Sequence, residues 1–331
     1  MSRSFKVVIC VRHAFELWTA PAWFSERLRQ DFPQLQIAHL PDYKRLTEEI
    51  ADAEAFVGWS LRAEQVAAAK KLRWVHSTAA AVHQLLLPEL VASDVVLTNS
   101  TQVHGPVVAE HALALMLALA KRLPTAVKLQ QRGVWGQATL WEERPRPREV
   151  AGATVGVVGL GNIGRELVRL ARAIGMRVVA VREHPEKGTG GADTVYGPED
   201  IARLLAEADF VVLAAPLTEK SRTLMNAERL AQMKPDAFLI NVSRGALVDE
   251  AALAAALEKH TIAGAALDVF AAEPLPAESP LWRRENLLIT PHTAAVTERL
   301  WERHYELLAD NLRRYLAGEP LRGVVDKTRG Y

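Results

Sequence analysis

Residues 154–165 read Thr-Val-Gly-Val-Val-Gly-Leu-Gly-Asn-Ile-Gly-Arg. The apolar, β-branched run Thr154–Val158 predicts a buried strand, and the helix-period segment Asn162–Ile174 predicts a helix directly after it. Between them Gly159, Gly161 and Gly164 follow the G-x-G-x-x-G spacing. In a strand–turn–helix setting that spacing points to a dinucleotide. Gly159 permits the tight turn, Gly161 lets the backbone approach a pyrophosphate, and Gly164 allows close helix–strand packing. Asn162 and Ile163 then open a helix whose N-terminus faces the phosphates. The same spacing alone describes a plain βα turn, so the flanking pattern decides.

That pattern runs almost from end to end of the 331 residues. Phe5–Val11, Gln36–Leu40, Ala55–Trp59, Arg73–Ser77 and Val95–Thr98 read as strands with amphipathic stretches between most of them. After the glycine loop, Arg177–Val181, Phe210–Ala214, Phe238–Val242, Ala263–Val269 and Leu287–Thr290 repeat the rhythm. Pro198–Glu207, Ala227–Gln232, Asp249–Lys259 and a final Thr297–Ala317 read as helices. Such βα alternation predicts parallel sheets covered by helices on both faces. A long apolar helix is expected from about Val107 to Leu123. The weakly periodic Gln130–Val150, with Arg144-Pro145-Arg146-Pro147-Arg148, reads as an extended solvated connector.

Composition narrows the class. Hydrophobic residues make up 49% and charged residues 24%, a globular balance, and length suggests about two domains. A formal charge of +1 does not favour a general nucleic-acid binder. The longest unbroken apolar run, Ala112–Ala120, is far short of the about 20 residues of a membrane span, and the N-terminus shows no signal-peptide pattern. A cytoplasmic protein is expected. Cys10, the one cysteine, lies in an apolar run and reads as a small buried hydrophobe.

At the tip of the strand ending at Val181 stands Arg182, followed by Glu183. A carboxylate at that place binds the ribose hydroxyls of NAD, whereas an arginine accommodates the 2′-phosphate of NADP. Arg182 therefore favours NADP(H), with NAD(H) the alternative if Glu183 takes the tip. Arg244, Glu273 and His292 each follow a predicted strand, where ligands bind in open parallel sheets. Hydride transfer to a ketone leaves negative charge on oxygen and calls for an acid and a cationic partner. A histidine titrating near neutrality, a carboxylate to orient it and an arginine for a substrate carboxylate suit reduction of a 2-oxo acid.

With these residues in place, the chain resembles the D-isomer-specific 2-hydroxyacid dehydrogenases over nearly its whole length, and among them the glyoxylate and hydroxypyruvate reductases. The carriers are the glycine loop, Ala215-Pro216-Leu217-Thr218, Met233-Lys234-Pro235, residues 241–249 (Asn-Val-Ser-Arg-Gly-Ala-Leu-Val-Asp), Leu267-Asp268-Val269-Phe270 with Glu273-Pro274, and Pro291-His292. Val103-His104-Gly105, Ala109-Glu110-His111 and residues 311–315 also match. The resemblance implies Arg244, Glu273 and His292 as catalytic residues. It also implies Asp268 as the residue that positions the nicotinamide carboxamide, and Pro216 and Thr218 in the loop lining the cofactor. No metal, nucleic-acid or membrane partner is implied.

The family fold implied is two doubly wound parallel-sheet domains with a cleft between them. Residues 1–100 plus 296–331 would form a flavodoxin-like substrate domain, and 101–295 an inserted Rossmann domain. Residues 105–150 would serve as hinge helix and homodimer contact. A backbone loop holding the substrate carboxylate maps to Ala80, Ala81 and Val82, with alanine where a glycine is usual. Two other readings remain: a different substrate on the same fold, such as another 2-hydroxy acid or phosphite, and a dinucleotide-sensing corepressor-like protein.

Overall fold

The computed structural model describes residues 3–330, which divide into two compact units, residues 3–104 with 296–330, and Gly105–Ala295. In the first unit the strands are β1 (Lys6–Cys10), β2 (Gln36–His39), β3 (Ala55–Gly58), β4 (Trp74–His76) and β5 (Val96–Thr98). All pair in parallel, in the order β2-β1-β3-β4-β5. The helices are α1 (Ala22–Asp31), α2 (Leu46–Glu49), α3 (Ala63–Ala68), α4 (Pro88–Val91) and, from the far end of the chain, α12 (Leu300–Ala317).

Alternate residues of these strands serve opposite faces, as the period of a strand requires. Val7, Ile9, Val57 and Trp74 pack with Phe24 and Leu28 of α1 and with Trp301, Tyr305, Leu308 and Leu312 of α12. Val8, Cys10, Phe56 and Val75 pack with Leu46 and Leu90 on the other side. Cys10 is fully buried, and burial pushes its thiol up to about 12, so it is a core hydrophobe and not a nucleophile.

The second unit holds α5 (Thr101–Ala120, beginning just before its boundary), α6 (Leu123–Gln131), α7 (Gln137–Glu142), α8 (Asn162–Ala173), α9 (Ile201–Glu207), α10 (Ala227–Ala231) and α11 (Glu250–Glu258). Its strands are β6 (Thr154–Val158), β7 (Arg177–Val181), β8 (Thr194–Tyr196), β9 (Phe210–Leu213), β10 (Phe238–Asn241), β11 (Gly264–Leu267) and β12 (Leu287–Ile289). They form one parallel sheet in the order β12-β11-β10-β9-β6-β7-β8. The order reverses between β6 and β9, and in a doubly wound sheet a ligand binds outside the strand ends at that reversal. Both faces are covered. Val155, Val157, Val178 and Ile240 pack on α5 and α8, while Val158, Val179, Leu213 and Leu239 pack on α9, α10 and α11.

Three local expectations change. β8 was not predicted: it is three half-buried residues at the sheet edge, too short for a periodic signal. The long helix begins at Thr101, where Asn99 Oδ1 accepts from the Thr101 amide and hydroxyl, and tolerates Pro106 in its second turn. Its 20 residues are apolar enough to cross a membrane by length and composition, but Ala109, Ala112 and Met116 are buried against the sheet core. Third, Gln130–Val150 is not a plain connector. Arg122 turns the chain in the left-handed region at φ 54°, Pro124 lies in the first turn of α6, and α7 follows.

Arg148 is also not solvated. Its guanidinium lies 4.7 and 4.8 Å from the ring centroids of Phe210 and Phe238, and Nη2 donates to the Asp209 carbonyl at 3.2 Å. Burial lowers its pKa, opposed by Asp236 and Asp209. The planar cation therefore closes the edge of the aromatic pair at the start of β9 and β10. Arg148→Ala is expected to destabilise residues 105–295 by about 1–3 kcal/mol, seen as a lower urea midpoint, with Arg148→Lys restoring only part. An unchanged midpoint in Arg148→Ala would reduce the contact to a surface charge.

Candidate active site

The glycine loop is the first feature set by close packing. Gly159 has φ +104°, and a Cβ there would lie 2.7 Å from Ala215 N and Cα, in the loop after β9. A Cβ on Gly164 would collide with the Gly159 carbonyl. Gly161 differs: a Cβ there meets nothing within 4 Å, so the space in front of it is open. Gly161 also caps α8 without a side-chain bond, which leaves the first amides of the helix, at Asn162 and Ile163, directed out of it. An open approach to a glycine at a helix N-terminus, at the sheet reversal, fits a dinucleotide pyrophosphate.

On one side of this loop β7 ends at Val181, whose carbonyl accepts from Gly159 N. Arg182 comes immediately after the strand and is half-buried, its Nη1 donating to the Gly188 carbonyl at 3.0 Å. On the other side the loop after β9 is tied by Ser221, whose Oγ donates to the Pro216 carbonyl and accepts from Thr218 N at 2.7 Å.

The polar residues beyond β10, β11 and β12 meet in one cluster. Asn241, fully buried at the end of β10, accepts from Ser243 N and donates to the Arg244 carbonyl, which shapes the turn carrying Arg244. Gly245 has to be glycine because a Cβ would occupy the position of the Phe270 carbonyl. That contact brings the Arg244 turn against the loop after β11. There the Phe270 amide donates to Glu273 Oε1 at 2.9 Å, while Oε2 of the same carboxylate meets His292 Nδ1 at 2.6 Å.

His292 occupies an unusual backbone position, φ 52°, which costs a non-glycine residue on the order of 1–3 kcal/mol. It is held by its amide, which donates to the Asp268 carbonyl at 2.8 Å. Asp268 itself is 1% exposed, and its carboxylate accepts from Thr290 Oγ1 at 2.6 Å, Thr293 N at 2.9 Å and Ala294 N at 3.0 Å. One residue not singled out for any role, His111 of α5, completes the group: its Nε2 is 3.1 Å from Thr290 Oγ1 and 3.5 Å from Asp268 Oδ1. Its signal is tertiary, since 179 positions separate it from Thr290.

The charges interact as the geometry requires. The bond to Glu273 raises the His292 pKa above its ordinary value and outweighs burial. Burial would raise the Glu273 carboxyl, but the bonds from His292 and the Phe270 amide hold it below the usual range. Burial depresses Arg244 somewhat, with Glu273 opposing. Nδ1 is thus committed to the carboxylate. Half of the His292 side chain is exposed, and its Nε2 bonds to no described residue. This arrangement offers a proton at Nε2 beside a guanidinium. Among the described residues no group of three or more His, Cys, Asp or Glu side chains could hold a metal ion.

In the other unit, Ala80 and Ala81 are half-buried and Val82 is buried in the core. Asn99 Nδ2 donates to the Ala80 carbonyl, but the amides of Ala80, Ala81 and Val82 donate to no described protein group. Alanine fits where a glycine was expected, because none of residues 79–82 has a positive φ. By imidazole NMR, the His292 titration midpoint is expected above that of an ordinary histidine, and Glu273→Gln is expected to move it down. A midpoint unmoved by the substitution would show that the carboxylate does not control the proton.

The chain is similar to known proteins over most of its length. The model of the NAD-binding domain of the D-isomer specific 2-hydroxyacid dehydrogenases matches residues 113–294. The glyoxylate reductase of Korarchaeum cryptofilum is 36% identical over 84% of each chain. The D-3-phosphoglycerate dehydrogenase of Methanocaldococcus jannaschii is 32% identical over 91% of this chain, which spans only 57% of that longer protein. The crystal structure of a D-isomer specific 2-hydroxyacid dehydrogenase from Xanthobacter autotrophicus, in complex with NADPH and MES, superposes with a TM-score of 0.82. It shares 32% identity over 99% of this chain and 100% of that one. The chain belongs to the D-isomer-specific 2-hydroxyacid dehydrogenase family.

Proposed function

We propose that the protein reduces a small 2-oxo acid to the D-2-hydroxy acid with NADP(H) in preference to NAD(H), glyoxylate and hydroxypyruvate being the first substrates to test. The observation that carries this is the 2.6 Å bond between His292 Nδ1 and Glu273, with Nε2 left available and Arg244 in the same cluster. When bound, the reduced nicotinamide supplies the hydride to the carbonyl carbon. His292 Nε2 gives its proton to the carbonyl oxygen as negative charge develops there, and Glu273 stabilises the cationic imidazole beforehand. Arg244 holds the substrate carboxylate through its planar fork and lends positive charge to the oxygen. In the reverse direction the same Nε2 accepts the proton.

Within this proposal Gly159, Gly161, Asn162, Ile163 and Gly164 hold the pyrophosphate, and Arg182 pairs with the 2′-phosphate. Pro216 and Thr218 line the cofactor and Asp268 positions the carboxamide. Residues 1–100 with 296–331 serve substrate binding, and the unused amides of Ala80, Ala81 and Val82 are the donors they offer to a carboxylate. The NADPH complex of the related Xanthobacter protein supports the cofactor reading.

Initial rates with glyoxylate and hydroxypyruvate, with NADPH and NADH in parallel, test the reading. Fast NADPH oxidation is expected, together with a loss of kcat/KM of about a hundredfold or more in a folded His292→Ala variant. Arg182→Ala should raise KM for NADPH about tenfold and leave NADH nearly unchanged. Near-wild-type turnover in His292→Ala removes the acid assignment. Cofactor binding without turnover of any 2-oxo acid overturns the enzyme reading in favour of a sensor.

The proposal also places a homodimer contact on residues 105–150. Supporting it, Leu123, Val127, Val134, Trp135 and Trp141 of this segment are exposed, Trp135 at 91%. Apolar groups concentrated on one segment are characteristic of a covered surface. Sedimentation equilibrium should give twice the 36.5 kDa chain mass, and Val127→Asp with Trp135→Asp should halve it. A monomer at micromolar concentration would overturn this contact.

A further inference from the structure

We infer that His111 is a positioning residue for the proton-transfer site, acting on His292 through Thr290 and Asp268; the inference rests on the proposed roles of Asp268 and His292. The direction of each bond follows from donor chemistry. A carboxylate only accepts, so the Thr290 hydroxyl spends its proton on Asp268 Oδ1 at 2.6 Å. The hydroxyl oxygen is then an acceptor towards His111 Nε2 at 3.1 Å, which makes Nε2 the protonated nitrogen of His111. The imidazole thereby fixes the hydroxyl rotor, and the hydroxyl fixes the carboxylate.

That carboxylate is the anchor for the segment carrying His292. Asp268 takes the amides of Thr293 and Ala294 on its side chain, and the amide of His292 on its backbone carbonyl. These three consecutive amides hold His292 at φ 52°, a conformation the residue does not adopt without outside support. His111 Nε2 also lies 3.5 Å from Asp268 Oδ1, and Asp268 contributes to raising the pKa of His292. Leucine at position 111 would preserve an apolar helix face and leave the Thr290 hydroxyl oxygen without its donor. Glutamine keeps a donor of comparable reach.

The test compares His111→Leu and His111→Gln with the wild-type chain in two measurements. The first needs neither cofactor nor substrate: amide hydrogen exchange of residues 290–294. Exchange in this segment is expected to accelerate about tenfold in His111→Leu, and to return towards wild type in His111→Gln, with the thermal midpoint of each variant unchanged. The second is steady-state reduction with 4-deuterated and ordinary NADPH. In His111→Leu kcat is expected to fall about tenfold with substrate KM little changed and a larger deuterium isotope effect, because misplacing the acid slows the chemical step and not binding. A smaller fraction of folded enzyme would lower kcat and leave the isotope effect where it was. Wild-type exchange and wild-type kcat in His111→Leu overturn the inference. So does accelerated exchange spread over the whole unit with a lower thermal midpoint, which would make His111 a packing residue. If the wild-type chain turns over no 2-oxo acid, the proposed reaction fails, while the exchange measurement still decides whether His111 positions the segment.

Discussion

The site depends on one buried carboxylate. Asp268 ends β11 with almost no exposure, and a charge so placed is tolerated only when its lone pairs are filled. Three donors from the segment after β12 do this, and in doing so they determine where that segment runs. The left-handed backbone of His292 is a consequence: the strain at one residue is offset by bonds at its neighbours. Glu273, reached from the same β11 loop, then takes Nδ1. One strand end therefore sets both the position of the histidine and its protonated nitrogen.

A second constraint is steric. Gly159, Gly164 and Gly245 each lie where a Cβ would strike main-chain atoms, so these are points where two backbones pass in contact. Gly159 against Ala215 brings the loops after β6 and β9 together at the reversal of strand order. Gly245 against Phe270 does the same for the loops after β10 and β11. Backbone contacts of this kind do not adjust as side chains do, and they give the polar residues fixed distances. Gly161 is the exception in this loop: empty space lies before it, and no packing contact requires a glycine there.

Much of this was legible in the sequence because the signals are local. Short β-branched or apolar runs located eleven of the twelve strands among the described residues, and α12 ends at Ala317, the expected end of the last helix, with Gly318 at φ 71° after it. Arg244, Glu273 and His292 were visible as charged residues past strand ends, a position with chemical meaning in parallel sheets. What was not legible depended on distant partners. Arg148 looked like one more solvated arginine between prolines until β9 and β10 set two phenylalanine rings beside it. β8 is short and half-buried, so it carries no period. His111 sits in an apolar helix and acquires a partner only through a threonine on the far side of the sheet order.

The charges of the cluster then explain why a carboxylate and an arginine accompany the histidine. Arg244 alone would oppose protonation of His292, since two cations in a partly desolvated site repel. Glu273 reverses that balance through a direct bond, and with the imidazole protonated the three groups retain one net positive charge. That charge suits an anionic substrate. With the imidazole neutral, Glu273 and Arg244 offset one another and the net positive charge of the three groups falls to zero. The charge of the cluster is in this way coupled to a single titrating residue, whose position is fixed from Asp268 and whose protonation is favoured by Glu273.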